Sequence, residues 1–174
     1  MNKSFLLLVA VLFMMFSCVE KQTDTTQANC YFQYEYVNYA WGFQHSGFMI
    51  TPEREVYSFS KSTPWVFPKE GKLSLADLKK NIAASVKVDT IINNSDLEYY
   101  KKLASAASLG NLSLPVSQGA DMGSHGSSVL IPDPNGTEGS YLQVVLSENG
   151  DVEQHNLAPE AAVIAAWLEN LGIH

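Results

Sequence analysis

The sequence predicts a single α+β domain, in which an antiparallel sheet of about five to seven strands carries three helices, with at least one helix packed across a sheet face. Three observations predict this fold class. Short segments alternate polar and apolar residues, and a period of two indicates half-buried strands. Other segments place apolar residues at helical spacing behind capping residues. Turn residues separate neighbouring segments, which favours antiparallel connections.

The first predicted strand covers residues 31–39. Phe32, Tyr34 and Tyr36 fall on one face, and Gln33 and Glu35 fall on the other. Alternating aromatic residues are typical of a strand that buries one face in a core.

A hairpin follows, with strands in residues 41–50 and 55–60. The connection is Thr51-Pro52-Glu53-Arg54, and proline pre-sets φ at the second position of a type I turn. Residues 62–72 contain two prolines and a glycine, and they predict a loop.

The first predicted helix starts after Ser74 and continues through about Ser85. Ser74 is a capping residue, and Asp77 is favoured in the first turn. Residues 88–92 form a short β-branched run that predicts a strand.

The second predicted helix starts at a capping box, Ser95 with Glu98, and continues to about Ser108. Gly110 is placed to end it. The third begins near Pro159, because proline is tolerated in the first turn of a helix. We expect this last helix to pack across the sheet.

Between these helices lies the least regular part of the chain, residues 112–128, which is rich in serine and glycine. Residues 141–147 alternate and predict a strand. Asn149-Gly150 predicts a type I′ turn, since both central residues of that turn need φ above zero. Residues 151–155 would then return beside the preceding strand.

The N-terminus carries an apolar run, residues 5–16, between Lys3 and the pair Ser17-Cys18. The run fits the core of a signal peptide and is too short to cross a hydrocarbon layer of about 30 Å. Met15-Phe16-Ser17-Cys18 resembles the lipobox of bacterial lipoproteins. This resemblance implies cleavage before Cys18 and attachment of acyl chains such as palmitate to it.

The resemblance implies a protein anchored by lipid to a membrane of the bacterial cell envelope, on the periplasmic or cell-surface side. Two or three acyl chains make a lasting anchor, whereas one is marginal. Residues 1–17 would be the signal peptide, residues 18–29 a flexible tether, and residues 30–174 the domain. The alternatives are a secretory signal cleaved elsewhere and an uncleaved membrane helix.

Two short motifs, Asp24-Thr25-Thr26 and Asp89-Thr90-Ile91, resemble the O-glycosylation sequon of Bacteroidetes. A likeness to secreted bacterial domains lies in three stretches, Trp41-Gly42-Phe43, Gly47-Phe48-Met49-Ile50 and Val56-Tyr57-Ser58-Phe59. This likeness implies no particular activity.

The chain is acidic, with a formal net charge of −7. This balance excludes nucleic acid as an expected partner, because neutralising phosphates needs clustered lysine and arginine. It also argues against electrostatic adhesion to anionic lipid.

The chain has two cysteines. If Cys18 carries lipid, Cys30 has no second cysteine for an internal disulfide, and we expect it to be a small buried residue instead of a nucleophile. If Cys18 carries no lipid, a Cys18–Cys30 disulfide is open.

The four histidines, His45, His125, His155 and His174, show no zinc-binding spacing, and we expect neither a metal nor a cofactor. Oxygen-bearing residues that could attract calcium lack the EF-hand spacing. They are Asp133, Asn135, Asp151 and Glu153.

Asp121, Ser124 and His125 form the most suggestive local cluster. A nucleophilic serine needs a base within hydrogen-bond reach, but adjacent residues rarely point the same way in an extended segment. No G-x-S-x-G elbow is present. The cluster therefore supports only an alternative prediction, a small secreted hydrolase that acts with or without a metal.

Aromatic residues are concentrated in residues 31–67. Half of them must be core, and the outward half could bind sugar rings or a protein surface. The leading functional prediction is therefore a non-catalytic, lipid-anchored module that binds a protein or glycan partner. Its candidate binding residues are Tyr39, Trp41, Trp65, Asp121, Ser124 and His125.

Overall fold

The computed structural model describes residues 29–40, 42–60 and 65–173. The predicted signal peptide, Cys18, nearly all of the tether, and Trp41 lie outside the described residues.

Nine strands and three helices make up the described chain. The strands are β1 (Tyr31–Asn38), β2 (Gln44–Ile50), β3 (Glu55–Ser60), β4 (Lys72–Ser74), β5 (Val86–Ile91), β6 (Val116–Ser117), β7 (Ser124–Pro132), β8 (Ser140–Gly150) and β9 (Val152–His155). The helices are α1 (Leu75–Ala84), α2 (Asn94–Ala107) and α3 (Pro159–Asn170). The predicted α+β class is confirmed, but there are more strands than predicted. β4 and β6, of three and two residues, are too short to carry a periodic signal.

The strands form one open antiparallel sheet in the order β5-β3-β2-β1-β7-β8-β9-β6, with β4 added on β8. The predicted hairpin is confirmed as β2 and β3, and Arg54 N–H donates to Thr51 O across the turn at 3.0 Å. β1 lies near the middle, between β2 and β7.

One face of the sheet, here called the helix face, carries Phe32 and packs against α2 and α3. Trp167 of α3 meets the Phe32 ring edge-on at 5.2 Å and stacks on Tyr100 of α2 at 3.9 Å. The prediction that the last helix packs across the sheet is therefore confirmed. Cys30 is buried in the same cluster, as expected.

The other face, here called the open face, carries Gln33 and Glu35. A smaller apolar cluster covers part of it and joins strand residues to α1 and to residues 65–66. Its buried members are Met49, Leu73, Leu78, Leu130 and Tyr141.

The caps of α1 and α2 differ in how well the sequence predicted them. Asp77 N–H donates to Ser74 Oγ at 3.1 Å, so the predicted cap of α1 is confirmed. The predicted capping box of α2 at Ser95 is wrong. Asn93 caps this helix, and its Oδ1 accepts from Ser95 N–H at 3.0 Å. Asparagine caps as well as serine does, so two neighbouring candidates competed for one helix start.

The predicted type I′ turn at Asn149-Gly150 is also wrong. Asn149 and Gly150 extend β8 and pair with His125 and Ser124 of β7. Only Arg54, Glu70 and Asp121 have positive φ among the described non-glycine residues. Pairing with a third strand thus overrides the local turn preference.

The two ends of the sheet differ. The entry end is where the chain enters β1 at Tyr31, and the far end is where β1 finishes at Asn38. At about 3.3 Å per residue, these ends are roughly 23 Å apart. None of the helices among the described residues is long and apolar enough to cross a bilayer.

Candidate functional site

Four paired residues form a row across neighbouring strands of the sheet, close to its far end. Glu35 of β1 pairs with Gly47 of β2 on one side and with Gly126 of β7 on the other, and Gly126 pairs with Glu148 of β8. Because Gly126 has no side chain, Glu35 and Glu148 stand on the open face with no side chain from β7 between them. Two strand spacings of about 4.8 Å separate their backbones by roughly 10 Å.

His45 holds the Glu35 carboxylate from one side. Its Nε2 lies 2.7 Å from Glu35 Oε2, and its side chain is fully buried, whereas Glu35 is 16% exposed. A carboxylate only accepts hydrogen bonds, so the imidazole N–H is the donor. One oxygen of the Glu35 carboxylate is thus bound to His45, and the carboxylate as a whole is partly exposed on the open face.

Four aromatic rings surround the His45 ring, at centroid distances of 4.7 to 6.0 Å. They belong to Phe43, Phe59, Trp65 and Phe67. Gly47 makes this possible, because a Cβ there would lie 3.0 Å from the Phe59 ring and 2.1 Å from Tyr34 O. The sequence therefore needs glycine at this position for Phe59 to reach His45.

The open space around Glu35 is a cavity of about 700 Å³, continuous in its lining with a smaller one of about 220 Å³. We call the two together the acidic cleft. Its charged lining residues are Glu35, Asp121, Glu148 and Asp151, and its neutral polar ones include Ser124, Ser128, Gln143 and Ser147. Within the described ranges, no lysine, arginine or histidine lines it.

A loop closes one side of the cleft, and Asp151 positions it. The Asp151 carboxylate accepts from Met122 N–H at 2.8 Å and from Gly123 N–H at 3.2 Å. Asp121 stands in this loop with φ of 71°. The loop that looked irregular in sequence is therefore fastened to the turn after β8.

A second cavity of about 420 Å³ lies on the helix face, at the far end. We call it the tyrosine–histidine pocket. Tyr34 and Tyr36 of β1 and His125 of β7 line it, with three serines from β2 and β3. The Tyr34 hydroxyl and His125 Nδ1 share a hydrogen bond of 3.2 Å. Burial, and then the charge of Glu169, raises the pKa of Tyr34 above its ordinary value.

The structure distributes the predicted binding residues over both faces. Asp121 and Ser124 line the acidic cleft, together with Tyr39, which is 72% exposed at its rim. Trp65 packs against His45 and Phe59.

Ser124 and His125 do not come together. They are consecutive residues of β7, so one side chain faces the acidic cleft and the other faces the tyrosine–histidine pocket. No hydrogen bond joins Asp121 to Ser124 among the described residues. The geometry gives the predicted hydrolase no support from this cluster.

The candidate metal ligands are also separated. Among the described residues, no group of three or more histidine, cysteine, aspartate or glutamate side chains is placed to hold a metal ion. Asp133 binds Lys72 Nζ at 2.9 Å and Asn135 N–H at 3.0 Å before β8 begins, whereas Asp151 follows the end of β8.

Glu35 and Glu148 were not predicted as site residues. Each lies at a polar position of an alternating strand, where a solvated side chain is the ordinary interpretation. The signal that marks them is their alignment with Gly47 and Gly126, and it becomes visible only when the strand register is known.

Comparison with known proteins adds no relative. No protein family, no curated protein and no solved structure matches this chain.

Proposed function

We propose that this protein is a lipid-anchored envelope module whose acidic cleft binds a lysine- or arginine-bearing segment of a protein partner. The observation that carries the proposal is that the larger cavity of the cleft, of about 700 Å³, is lined by four carboxylates, with no cationic side chain among the described lining residues. Such a cleft repels anions and attracts ammonium or guanidinium groups.

The positions of the carboxylates support direct hydrogen bonds to a bound cation in addition to long-range electrostatic attraction. Glu148 forms no ion pair among the described residues, and Glu35 is bound on one oxygen by His45. A cation between them would lie over Gly126, where no side chain blocks it. Hydrogen bonds to charged groups contribute about 1.5–3 kcal/mol each.

The rim adds a second attraction for cations. Tyr39 and Phe43 are both exposed, and their ring centroids lie 5.3 Å apart. A lysine or arginine held over an exposed aromatic ring gains about 0.5–1 kcal/mol. The neutral hydroxyl and amide groups of the cleft would accept backbone N–H groups of the same segment.

The end at which the described chain enters the sheet is opposite the end that carries the cleft. The chain enters at Tyr31, whereas Tyr39, Asp121 and Asp151 line the cleft near the far end. A flexible tether of residues 18–29 would reach roughly 18 Å. In the proposed arrangement the cleft points away from the membrane that carries the lipid, where a partner can reach it.

The cleft can be tested by calorimetric titration of the protein with three capped hexapeptides, in which glycine alternates with lysine, arginine or glutamate. We expect saturable binding of the lysine and arginine peptides only. Glu148→Gln should weaken that binding by roughly tenfold, which corresponds to about 1.4 kcal/mol.

Glu138→Gln is the matched control, because Glu138 is exposed near the entry end and the substitution removes the same charge. An equal loss of affinity in both variants would mean that only net charge is sensed. That outcome, or equal binding of the glutamate peptide, would end the proposal.

The anchor is tested separately. Wild-type protein should incorporate radiolabelled palmitate and fractionate with membranes, and Cys18→Ala should do neither. If both proteins behave alike, the anchoring half of the proposal is wrong, and the cleft assignment is unaffected.

A further inference from the structure

The tyrosine–histidine pocket has a chemistry unlike that of the acidic cleft on the other side of the same sheet. Its lining contains two tyrosines, one histidine, three serines and apolar residues, and no carboxylate, lysine or arginine among the described residues. This described lining therefore offers a charged ligand no carboxylate, lysine or arginine as an ion-pair partner. Its volume of about 420 Å³ is in the range of small-molecule sites.

The floor of this pocket is a platform of aromatic rings. The His125 ring lies between the two tyrosines, with its centroid 5.9 Å from Tyr34 and 4.8 Å from Tyr36. The planes of His125 and Tyr34 differ by 28°. Tyr34 also stacks on Phe48, whose ring is buried in the helix-face core, so the platform continues the core outward.

Hydrogen bonds fix the platform in place. Tyr36 donates its hydroxyl to Met122 O at 3.1 Å and accepts from Asn38 Nδ2 at 2.9 Å. Tyr34 is held by His125. Rings that are already ordered lose little conformational entropy when a ligand lies on them, which favours binding.

The wall beside the platform carries three serines on adjacent strands. Ser46 of β2 pairs with Ser60 of β3, and Ser58 lies on the same side of β3 two residues earlier. None of the three hydroxyls has a hydrogen-bond partner among the described residues. Each can both donate and accept, so the wall matches a ligand that carries several hydroxyl groups.

We infer that the tyrosine–histidine pocket is a second binding site and that it takes a neutral pyranose ring of a glycan. A pyranose presents an apolar face of C–H groups, which suits the aromatic platform, and a rim of hydroxyls, which suits the serines. It carries no charge, in agreement with the lining. This inference does not depend on the acidic cleft or on its partner.

The test is an NMR titration of the ¹⁵N-labelled protein with the methyl glycosides of glucose, galactose and mannose, and with phenol as an aromatic probe. We expect at least one glycoside to bind with a millimolar Kd and to give saturable amide shifts centred on Ser46 and His125. His125→Ala should weaken that binding by at least roughly tenfold.

His155→Ala is the matched control, since His155 is also an exposed strand histidine but lies on β9, away from the pocket. It should leave binding unchanged. Ser58→Val is a second variant, which replaces the hydroxyl with two methyl groups and should also weaken binding.

Three results would overturn the inference. The first is no saturable shift with any glycoside. The second is binding of phenol alone, which would assign the pocket to an aromatic side chain of a protein. The third is glycoside binding that both His125→Ala and Ser58→Val leave intact, which would place the sugar elsewhere.

Discussion

The entry end and the far end of the sheet are formed by the same strands but differ in what covers them. At the entry end both faces are covered, by the α2–α3 core that includes Phe32 and by the α1 cluster that includes Met49 and Leu130. At the far end both faces carry cavities, and the strand residues that line them include glutamate, serine, glycine, tyrosine and histidine. The packing that stabilises the fold is therefore concentrated at one end of the strands, and the cavities that we propose as binding sites lie at the other end.

The largest expected contrast is between two aromatic truncations in and just after β1. Phe32 is fully buried and meets Trp167, whereas Tyr39 is 72% exposed. Phe32→Ala should destabilise the fold by about 3–5 kcal/mol. Tyr39→Ala should change stability by about 0.5 kcal/mol or less. Urea unfolding followed by tryptophan fluorescence measures both, and similar values would show that the two ends are not different in packing.

Two glycines beside Glu35 give the next contrast. A Cβ on Gly47 would lie 2.1 Å from Tyr34 O, whereas a Cβ on Gly126 would make only ordinary contacts, 3.7 Å from Glu35 Cγ and 4.0 Å from Ser147 O. Gly47→Ala should destabilise the fold by about 1–3 kcal/mol.

Gly126→Ala should leave the fold as stable or up to about 1 kcal/mol more stable, because the unfolded chain loses entropy. It should also weaken binding of the lysine peptide, since the added methyl group occupies the space between Glu35 and Glu148. Thermal unfolding and the peptide titration together separate these effects. A severe loss of stability in Gly126→Ala would mean that the cleft is packed and not open.

A smaller effect concerns the start of α2, which lies at the entry end because Ile92 N–H donates to Arg54 O there. Asn93→Ala removes the side-chain acceptor that caps this helix and should cost about 1 kcal/mol. Ser95→Ala should cost less, about 0.5 kcal/mol at most. If chemical denaturation showed a larger loss of stability for Ser95→Ala than for Asn93→Ala, Ser95 would be the capping residue, as the sequence predicted.

The smallest effect is electrostatic. Lys72, followed by the N–H of Asn135, holds the pKa of Asp133 below its ordinary value. A lowered pKa in the folded state adds stability above the unfolded pKa of about 3.9, and this stability is lost as pH falls through the folded pKa.

Wild-type protein should therefore be more stable than Asp133→Asn at neutral pH, and the difference should vanish in strong acid. Denaturant unfolding at a series of pH values measures it. Lys72→Met should raise the pKa of Asp133 towards its ordinary value. A stability difference between wild type and Asp133→Asn that grows on acidification would contradict this role of Lys72.

Much of the fold was predictable because its signals are local. β1 alternates, Ser74 caps α1, and Pro159 starts α3, and each of these needs only neighbouring residues. The failures occurred where distant pairing decides. Asn149-Gly150 continues as a strand because β7 pairs with it.

The site was less predictable than the fold. Asp121, Ser124 and Tyr39 are candidate binding residues from the sequence, and all three line the acidic cleft. The sequence could not reveal that Ser124 and His125 serve opposite faces, because that follows from β7 being a strand at that point. Glu35 and Glu148 are ordinary strand positions until the register aligns them across Gly126.

We propose above all that a cationic partner binds in the acidic cleft at the far end of the sheet. The most direct measurement is a map of amide shifts as the lysine hexapeptide is added to the ¹⁵N-labelled protein. We expect saturable shifts of the amides of Glu35, Gly126 and Glu148. The amide shifts of Phe32 and Met49 should not change. Shifts spread evenly over exposed acidic residues such as Asp89 and Glu138, or none at Glu35 and Glu148, would contradict it.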